Sequence, residues 1–179
     1  MPFNIALLKC IVETSCKSEV KAVRIKTDRC VVILETKIFI FNLADFRVLE
    51  SIETCPNPKG LCSMSSMRDD LLLAYPSKKI GFVEIFSETQ LERKKIEAHK
   101  STLCALELCP NGYKMATASE KGTIIRIFDL SKGECLQELR RGSEYATIYS
   151  IAFDLKSRWL ACSSDSGTIH IFSLRPSEE

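Results

Sequence analysis

Two adjacent arginines, Arg140 and Arg141, are the residues whose type and spacing most directly suggest chemistry. They follow the strand-like run CLQEL and precede a glycine. Guanidinium groups bind phosphate and carboxylate through charge-assisted hydrogen bonds. Because successive side chains of a strand point to opposite faces, the two arginines are expected to diverge if they continue that strand. The pair therefore predicts two separate anion sites, one on each side of the strand.

Companion groups for such anion sites lie in two nearby stretches. Hydroxyls and turn amides beside an arginine can complete an anion pocket, and a histidine can donate a further hydrogen bond. The stretch SEKGT contains Ser119, Lys121, Gly122 and Thr123, and SSDSGT contains Ser163, Ser164, Asp165 and Thr168. The only two histidines are His99 and His170. These residues leave a second interpretation open, in which the arginines are solvated edge charges and the hydroxyls ordinary turn residues.

A repeat organises the elements that must position these groups. The segments KIFIFNL, GFVEIFS, TIIRIFDL and TIHIFSL end alike, and their phenylalanines are Phe41, Phe86, Phe128 and Phe172. The intervals between them are 45, 42 and 44 residues, a period typical of propeller blades with four strands each. Short β-branched and apolar runs alternate with turns such as CPNG, EKG and SKG. We therefore expect an all-β fold, a β-propeller.

The repeat predicts one partial propeller domain over residues 1–179. Its approximate blades are residues 20–54, 58–97, 102–142 and an incomplete 147–174, and residues before Val20 could add an outer strand. Propellers usually close with more blades than about four. We therefore expect a fragment or truncated form of a larger propeller, or an arc that needs other blades in trans. Whether the arc folds alone stays open.

Composition limits the classes of function. Hydrophobic residues make up 45% and charged residues 27% of the chain, with a net charge of +2, which is typical of a soluble domain and too weakly basic to indicate nucleic acid. The nine cysteines form no C-x-x-C pair and have no zinc-ligand spacing, which favours buried free thiols in a reducing cytosol. No secretory signal or membrane-spanning run is recognisable. No catalytic motif is recognisable either, so we expect no enzyme activity, metal or cofactor.

An ordered set of motifs resembles the PROPPIN family, the WD-repeat proteins of the autophagy-related 18 and WIPI type. The set comprises NPKGLC, AHKSTL, MATASEKGTIIRIFD, LRRG and SSDSGTIHIFSL, and the similarity runs over nearly the whole chain from about Val20. Leu139 stands where the family's hallmark, Phe-Arg-Arg-Gly, has phenylalanine. The resemblance implies a WD-repeat-like propeller of seven blades, of which this chain holds about four.

The resemblance also implies a function. Family members bind phosphatidylinositol 3-phosphate and phosphatidylinositol 3,5-bisphosphate at two rim sites. By resemblance, site one comprises His99, Ser119, Thr123 and Arg140, with Lys121 as a further candidate. Site two comprises Arg141, Ser163, Ser164, Thr168 and His170. A hydrophobic membrane loop would follow Leu174, where only RPSEE remains, so we expect the isolated chain to bind membranes weakly.

Partners and location follow from the same resemblance. It implies a cytoplasmic protein that acts in autophagy, peripheral on autophagosome precursor, endosomal or vacuolar membranes, with autophagy proteins as partners, including a large lipid-transfer protein. Two alternatives stay open: a protein-interaction scaffold without lipid binding, and a non-functional truncated product. The basic segment 92–100 could contact a partner protein or be a solvated outer strand.

Overall fold

Short apolar runs between turn residues form the elements of this chain. The computed structural model describes residue 10, residues 12–90 and residues 93–175, and among them 15 strands form four antiparallel sheets, called blades I to IV here. Blade I contains β1 (Val20–Lys26), β2 (Arg29–Leu34), β3 (Lys37–Asn42) and β4 (Val48–Glu53). Blade II contains β5 (Ser63–Met64), β6 (Leu72–Pro76), β7 (Phe82–Ser87) and β8 (Lys94–Glu97). Blade III contains β9 (Leu103–Leu108), β10 (Lys114–Ser119), β11 (Ile124–Asp129) and β12 (Cys135–Arg140). Blade IV contains β13 (Ile148–Phe153), β14 (Trp159–Ser164) and β15 (Ile169–Ser173).

The strands of each blade pair in sequence order, each with its neighbour along the chain. This meander, repeated four times, confirms the predicted all-β propeller arc. Residues 12–19 form no strand. The other residues that were predicted to add an outer strand before Val20 lie outside the described residues. The segment after residue 175 lies outside them as well.

Apolar cores between successive blades hold the arc together. One core joins blades I and II around Ile33 and Tyr75, the next joins blades II and III around Leu106 and Met115, and the third joins blades III and IV around Ile125 and Leu160. Because blade III is covered on both faces, all six residues of β10 are buried. This double coverage explains why its sequence, KMATAS, has no exposed polar face.

The cysteines are all free, as the sequence predicts. Five of them are buried: Cys55, Cys62, Cys104, Cys109 and Cys162. Burial raises the pKa of the Cys62 thiol to about 12, which makes it a poor nucleophile near pH 7. In residues 12–90 and 93–175, no cluster of three His, Cys, Asp or Glu side chains is placed to hold a metal ion. The same residues contain no helix long and apolar enough to cross a membrane.

The β10–β11 turn and the β12–β13 connection meet at one end of blade III. The Ala146 amide donates to the Lys121 carbonyl at 3.3 Å, which joins these two segments. Gly122 lies between them with φ +66°, and a Cβ built there would stand 1.9 Å from the Ala146 carbonyl oxygen. Only glycine fits this position. The close approach brings the arginines of the β12 end to the turn that contains Lys121 and Thr123.

Candidate functional site

The two arginines diverge, as strand alternation predicts. Arg140 is the last residue of β12, pairs with Ile124 and is exposed. Leu139 lies in the core between blades III and IV, and Arg141, two residues further along the chain, lies on the same side. There its Nη1 donates to the Ser166 hydroxyl of blade IV at 3.3 Å. Arg140 and Arg141 therefore belong to different inter-blade grooves.

Arg141 is a buried cation without an anionic partner among the described residues. The residue is only 8% exposed to solvent. Nε donates to the Gly122 carbonyl at 2.6 Å, and Nη2 donates to the Glu144 carbonyl. Among the described residues, no carboxylate lies within 4.0 Å of its guanidinium. Arginine is rarely buried unless it is paired with an anion, and its remaining N–H groups can donate hydrogen bonds to a bound anion.

A line of polar side chains leads from Arg141 along the blade IV turn. Ser166 contacts the Ser164 hydroxyl at 2.6 Å and the Thr168 hydroxyl at 3.4 Å. The Thr168 hydroxyl lies 3.1 Å from His170 Nε2. The His170 ring stacks on Phe172, with centroids 6.0 Å apart and planes 9° from parallel. One cation, three hydroxyls and an imidazole therefore form a connected set that can donate several hydrogen bonds to one anion.

The residues predicted for site two from the sequence and the residues that hydrogen bonds connect in the structure differ at two positions. Ser163 lies on the face of β14 opposite to Leu160 and Cys162, which pack against blade III. Its side chain therefore points away from the groove of Arg141. Ser166 is absent from the sequence-based set, although it is the direct contact of Arg141. The alternate spacing of Ser164, Ser166, Thr168 and His170 is the signal that could have revealed it.

His99, assigned to site one, is a buried neutral group. Its Nε2 lies 3.0 Å from the Thr117 hydroxyl. Burial, with the positive charge of Arg126 as the second cause, lowers the pKa of His99 from 6.5 to about 4. Near pH 7 the ring is therefore neutral, and it can offer an anion only a neutral N–H. Arg126, which the sequence analysis did not single out, donates to the Ala98 carbonyl at 2.7 Å and to Glu138 at 2.7 Å.

The other site-one residues surround the same turn without contacting one another through side chains. Ser119 is buried at the end of β10, Thr123 is half-buried, and Lys121 and Arg140 are exposed. Within residues 93–175, no side-chain hydrogen bond or ion pair joins any two of the five site-one residues. The site-one side chains are thus not connected to one another, whereas the site-two side chains form a connected set, of which Arg141 and Ser164 are buried and Ser166 and Thr168 are exposed.

Comparison with known proteins identifies the family of this arc. The PROPPIN family model matches residues 4–178. Autophagy-related protein 18e of Arabidopsis thaliana is 41% identical over 167 residues, which cover 93% of this chain and 45% of that protein. WD repeat domain phosphoinositide-interacting protein 2 of Xenopus laevis is 44% identical over 162 residues, which cover 88% of this chain and 37% of that protein. This chain therefore spans less than half the length of these relatives.

Solved structures show the same fold. Kluyveromyces lactis Hsv2 superposes with a TM-score of 0.82 at 24% identity, covering 92% of this chain and 52% of that one. KlAtg21, solved in complex with the coiled-coil of AgAtg16, superposes with a TM-score of 0.80 at 28% identity, covering 92% of this chain and 55% of that one. The repeated antiparallel blades, the Arg-Arg-Gly segment at the end of β12 and the match over nearly every residue agree: the chain belongs to the PROPPIN family of WD-repeat β-propellers.

Proposed function

We propose that this chain is a phosphoinositide-binding propeller that reads phosphatidylinositol 3-phosphate and phosphatidylinositol 3,5-bisphosphate on membranes and recruits partners in autophagy. The observation that carries the proposal is the buried Arg141 guanidinium, which has no carboxylate partner among the described residues. It donates to the Ser166 hydroxyl, which in turn contacts the hydroxyls of Ser164 and Thr168. A related protein is named for its interaction with phosphoinositides, which supports the same chemistry here.

A phosphate monoester is the anion that best suits site two. It carries about 1.5 to 2 negative charges near pH 7 and several acceptor oxygens. Arg141 supplies the compensating charge, and the hydroxyls and His170 can donate to separate oxygens. A single hydrogen bond to a charged group contributes roughly 1.5–3 kcal/mol. A pocket with four or five donors is therefore enough to recognise a headgroup.

Site one acts in this proposal as the weaker pocket, because no side-chain hydrogen bond joins its residues within residues 93–175. Arg140 and Lys121 are exposed charges near Thr123 and the buried Ser119, and His99 contributes only as a neutral group. Two pockets that engage one membrane raise avidity by about 10²–10⁴ over either pocket alone. The pair would thus concentrate the protein on membranes that carry many headgroups.

The proposal includes the organisation and location of the protein. The four sheets would be blades covering residues 20–54, 58–97, 102–142 and 147–174 of a seven-bladed parent. The protein would act without catalysis, peripheral on autophagosome precursor, endosomal or vacuolar membranes, and would engage a lipid-transfer partner.

Liposome flotation tests the proposal. The chain is expected to float weakly but measurably with vesicles that contain phosphatidylinositol 3-phosphate and to stay unbound with phosphatidylcholine vesicles, and Arg140→Thr with Arg141→Thr is expected to abolish flotation. Arg47→Thr changes an exposed arginine of blade I and serves as the matched control, because the only ion pair of its side chain among the described residues is with the nearby Asp45. Equal flotation with both vesicle types, or an unaffected double variant, would reject lipid recognition.

A protein-interaction scaffold is the second candidate function. The observation in its favour is the related KlAtg21 structure, which contains a coiled-coil partner segment. The basic segment suggested for such contacts is engaged internally in this chain: Arg93 pairs with Glu50 at 2.8 Å, and Lys95 pairs with Glu84 at 3.1 Å. If the double arginine variant loses a partner protein in pull-downs while lipid binding is unchanged, the scaffold function replaces lipid recognition.

A further inference from the structure

A second cationic cavity lies at the opposite end of the groove between blades III and IV. The β9–β10 turn, the β13–β14 turn and the end of β15 form it. Four of its lining residues are basic: Lys114, Lys156, Arg158 and Arg175. No described residue that lines it is acidic. We call it the Lys114 cavity.

Lys114 is the first sign that this cavity is built for an anion. The residue is only 5% exposed, and its Nζ donates to the Arg175 carbonyl at 2.9 Å. Among residues 12–90 and 93–175, no carboxylate lies within 4.0 Å of Nζ. Lysine is almost never buried without a compensating charge. An anion in the cavity would supply that charge and accept from the remaining ammonium protons.

Ser157 is the second, independent sign. It lines the same cavity, is 6% exposed, and its hydroxyl makes no hydrogen bond to any described residue. A buried hydroxyl without a partner is costly, and such groups are rare in folded proteins. Lys156 and Arg158 flank it on the exposed turn. The carboxylate of this turn, Asp154, is occupied by backbone amides, among them those of Arg158 at 2.6 Å and Lys156 at 3.1 Å.

The Lys114 cavity is separate from site two. Ser157 precedes β14, whereas Ser164 of site two ends that strand. A strand rises about 3.3 Å per residue, so the two sites lie roughly 16 Å or more apart. One phosphate group cannot contact both sites.

We propose that the Lys114 cavity is a third anion site of this chain, which binds a phosphate group, either as free phosphate or on an inositol headgroup. The buried ammonium of Lys114 provides charge at its base and the Ser157 hydroxyl donates one hydrogen bond. Lys156 and Arg158 close the site at the rim. The site does not depend on phosphoinositide binding at sites one and two.

Backbone amide NMR titrations test this third site, with inorganic phosphate and inositol 1,3-bisphosphate as probes. Saturable shifts are expected at residues 156–159 in the wild type and in Arg141→Thr, which removes the central cation of site two. Lys156→Ala with Arg158→Ala should raise the dissociation constant for these shifts at least about tenfold, because two charge-assisted contacts are lost. Both residues are exposed, so the fold should survive their replacement.

The control is Lys132→Ala, which removes an exposed lysine of the β11–β12 turn that does not line the cavity. It should leave the dissociation constant unchanged. Tighter binding of inositol 1,3-bisphosphate would assign the cavity to an inositol headgroup, and equal binding of both probes would assign it to free phosphate. An absence of saturable shifts at residues 156–159 with either probe, or equal dissociation constants in the double variant and the wild type, would overturn the proposal.

Discussion

Burial divides the charged side chains around the β12 end into two groups. Arg141 and His99 are buried and bonded to neighbouring groups, whereas Arg140 and Lys121 are exposed. A buried polar group must be satisfied inside the protein, so its replacement changes stability as well as binding. An exposed charge contributes little to stability. Arg141 is therefore expected to contribute to the stability of the fold, whereas the adjacent Arg140 is expected to contribute little.

Arg141→Ala is expected to destabilise the chain, and Arg140→Ala is expected to be nearly neutral. Arg141 donates to the carbonyls of Gly122 and Glu144, and its removal leaves them without that donor. The expected loss is about 1–3 kcal/mol of unfolding free energy, against a change within about 0.5 kcal/mol for Arg140→Ala. Urea denaturation measures the unfolding free energy of both variants. Equal losses would contradict the burial of Arg141 and the exposure of Arg140.

His99 should make the fold sensitive to acid. Folding lowers its pKa from 6.5 to about 4, so the contribution of neutral His99 to stability is complete above pH 6.5 and is lost as the pH falls toward 4. The loss amounts to about 3 kcal/mol between pH 7 and pH 4. His99→Gln cannot titrate, so its unfolding free energy should fall less over that interval. Parallel pH profiles for the two proteins would show that His99 is not the titrating group.

At the scale of elements, the β10–β11 turn fixes the position of Arg141. Gly122 adopts φ +66° and its carbonyl accepts from Arg141 Nε. The Gly122 amide donates to the Ser119 carbonyl at 2.8 Å. The turn thus sets both the end of β10, where Ser119 lies, and the orientation of the arginine of the neighbouring strand.

Gly122→Ala should destabilise this turn, and Gly142→Ala should be tolerated. A Cβ at Gly122 would meet the Ala146 carbonyl at 1.9 Å, while a Cβ at Gly142 would meet no atom within 4 Å. The positive φ alone costs about 1–2 kcal/mol, and the clash adds to it. Thermal unfolding should show a lower midpoint for Gly122→Ala only. A comparable decrease for Gly142→Ala would contradict the described turn.

Local sequence patterns predicted the elements well because the relevant forces are local. The spacing of Phe41, Phe86, Phe128 and Phe172 predicted the blades, and strand alternation predicted the divergence of the two arginines. The side-chain partners were harder to predict. His99 lies before β9, outside any strand alternation, and contacts Thr117 rather than Ser119. The Lys114 cavity depends on the packing of blade IV beside blade III, which no local pattern specifies.

At the scale of the whole molecule, the candidate sites lie between blades, so inter-blade packing must hold them. Arg141 comes from blade III and its partner Ser166 from blade IV. The core between these blades, which includes Ile125 and Leu160, sets their separation. Binding at site two is therefore coupled to the stability of this core.

Leu160→Ala tests that coupling. Leu160 is fully buried between blades III and IV, so the substitution should cost about 2–5 kcal/mol of unfolding free energy. It should also weaken anion binding at site two, measured by NMR titration, more than binding at site one. Leu155→Ala changes a leucine that is 77% exposed and should alter neither property. Equal weakening at both sites would argue against the inter-blade geometry described for site two.

Titration of the chain with soluble dibutanoyl phosphatidylinositol 3-phosphate, followed by backbone amide NMR, tests the central claim most directly. The proposal predicts saturable shifts at residues 164–170 in the wild type. It predicts that Arg141→Thr abolishes these shifts while the titration shifts at residues 119–123 remain. The absence of saturable shifts at residues 164–170 in the wild type, or unchanged shifts there in Arg141→Thr, would contradict headgroup recognition by the buried arginine.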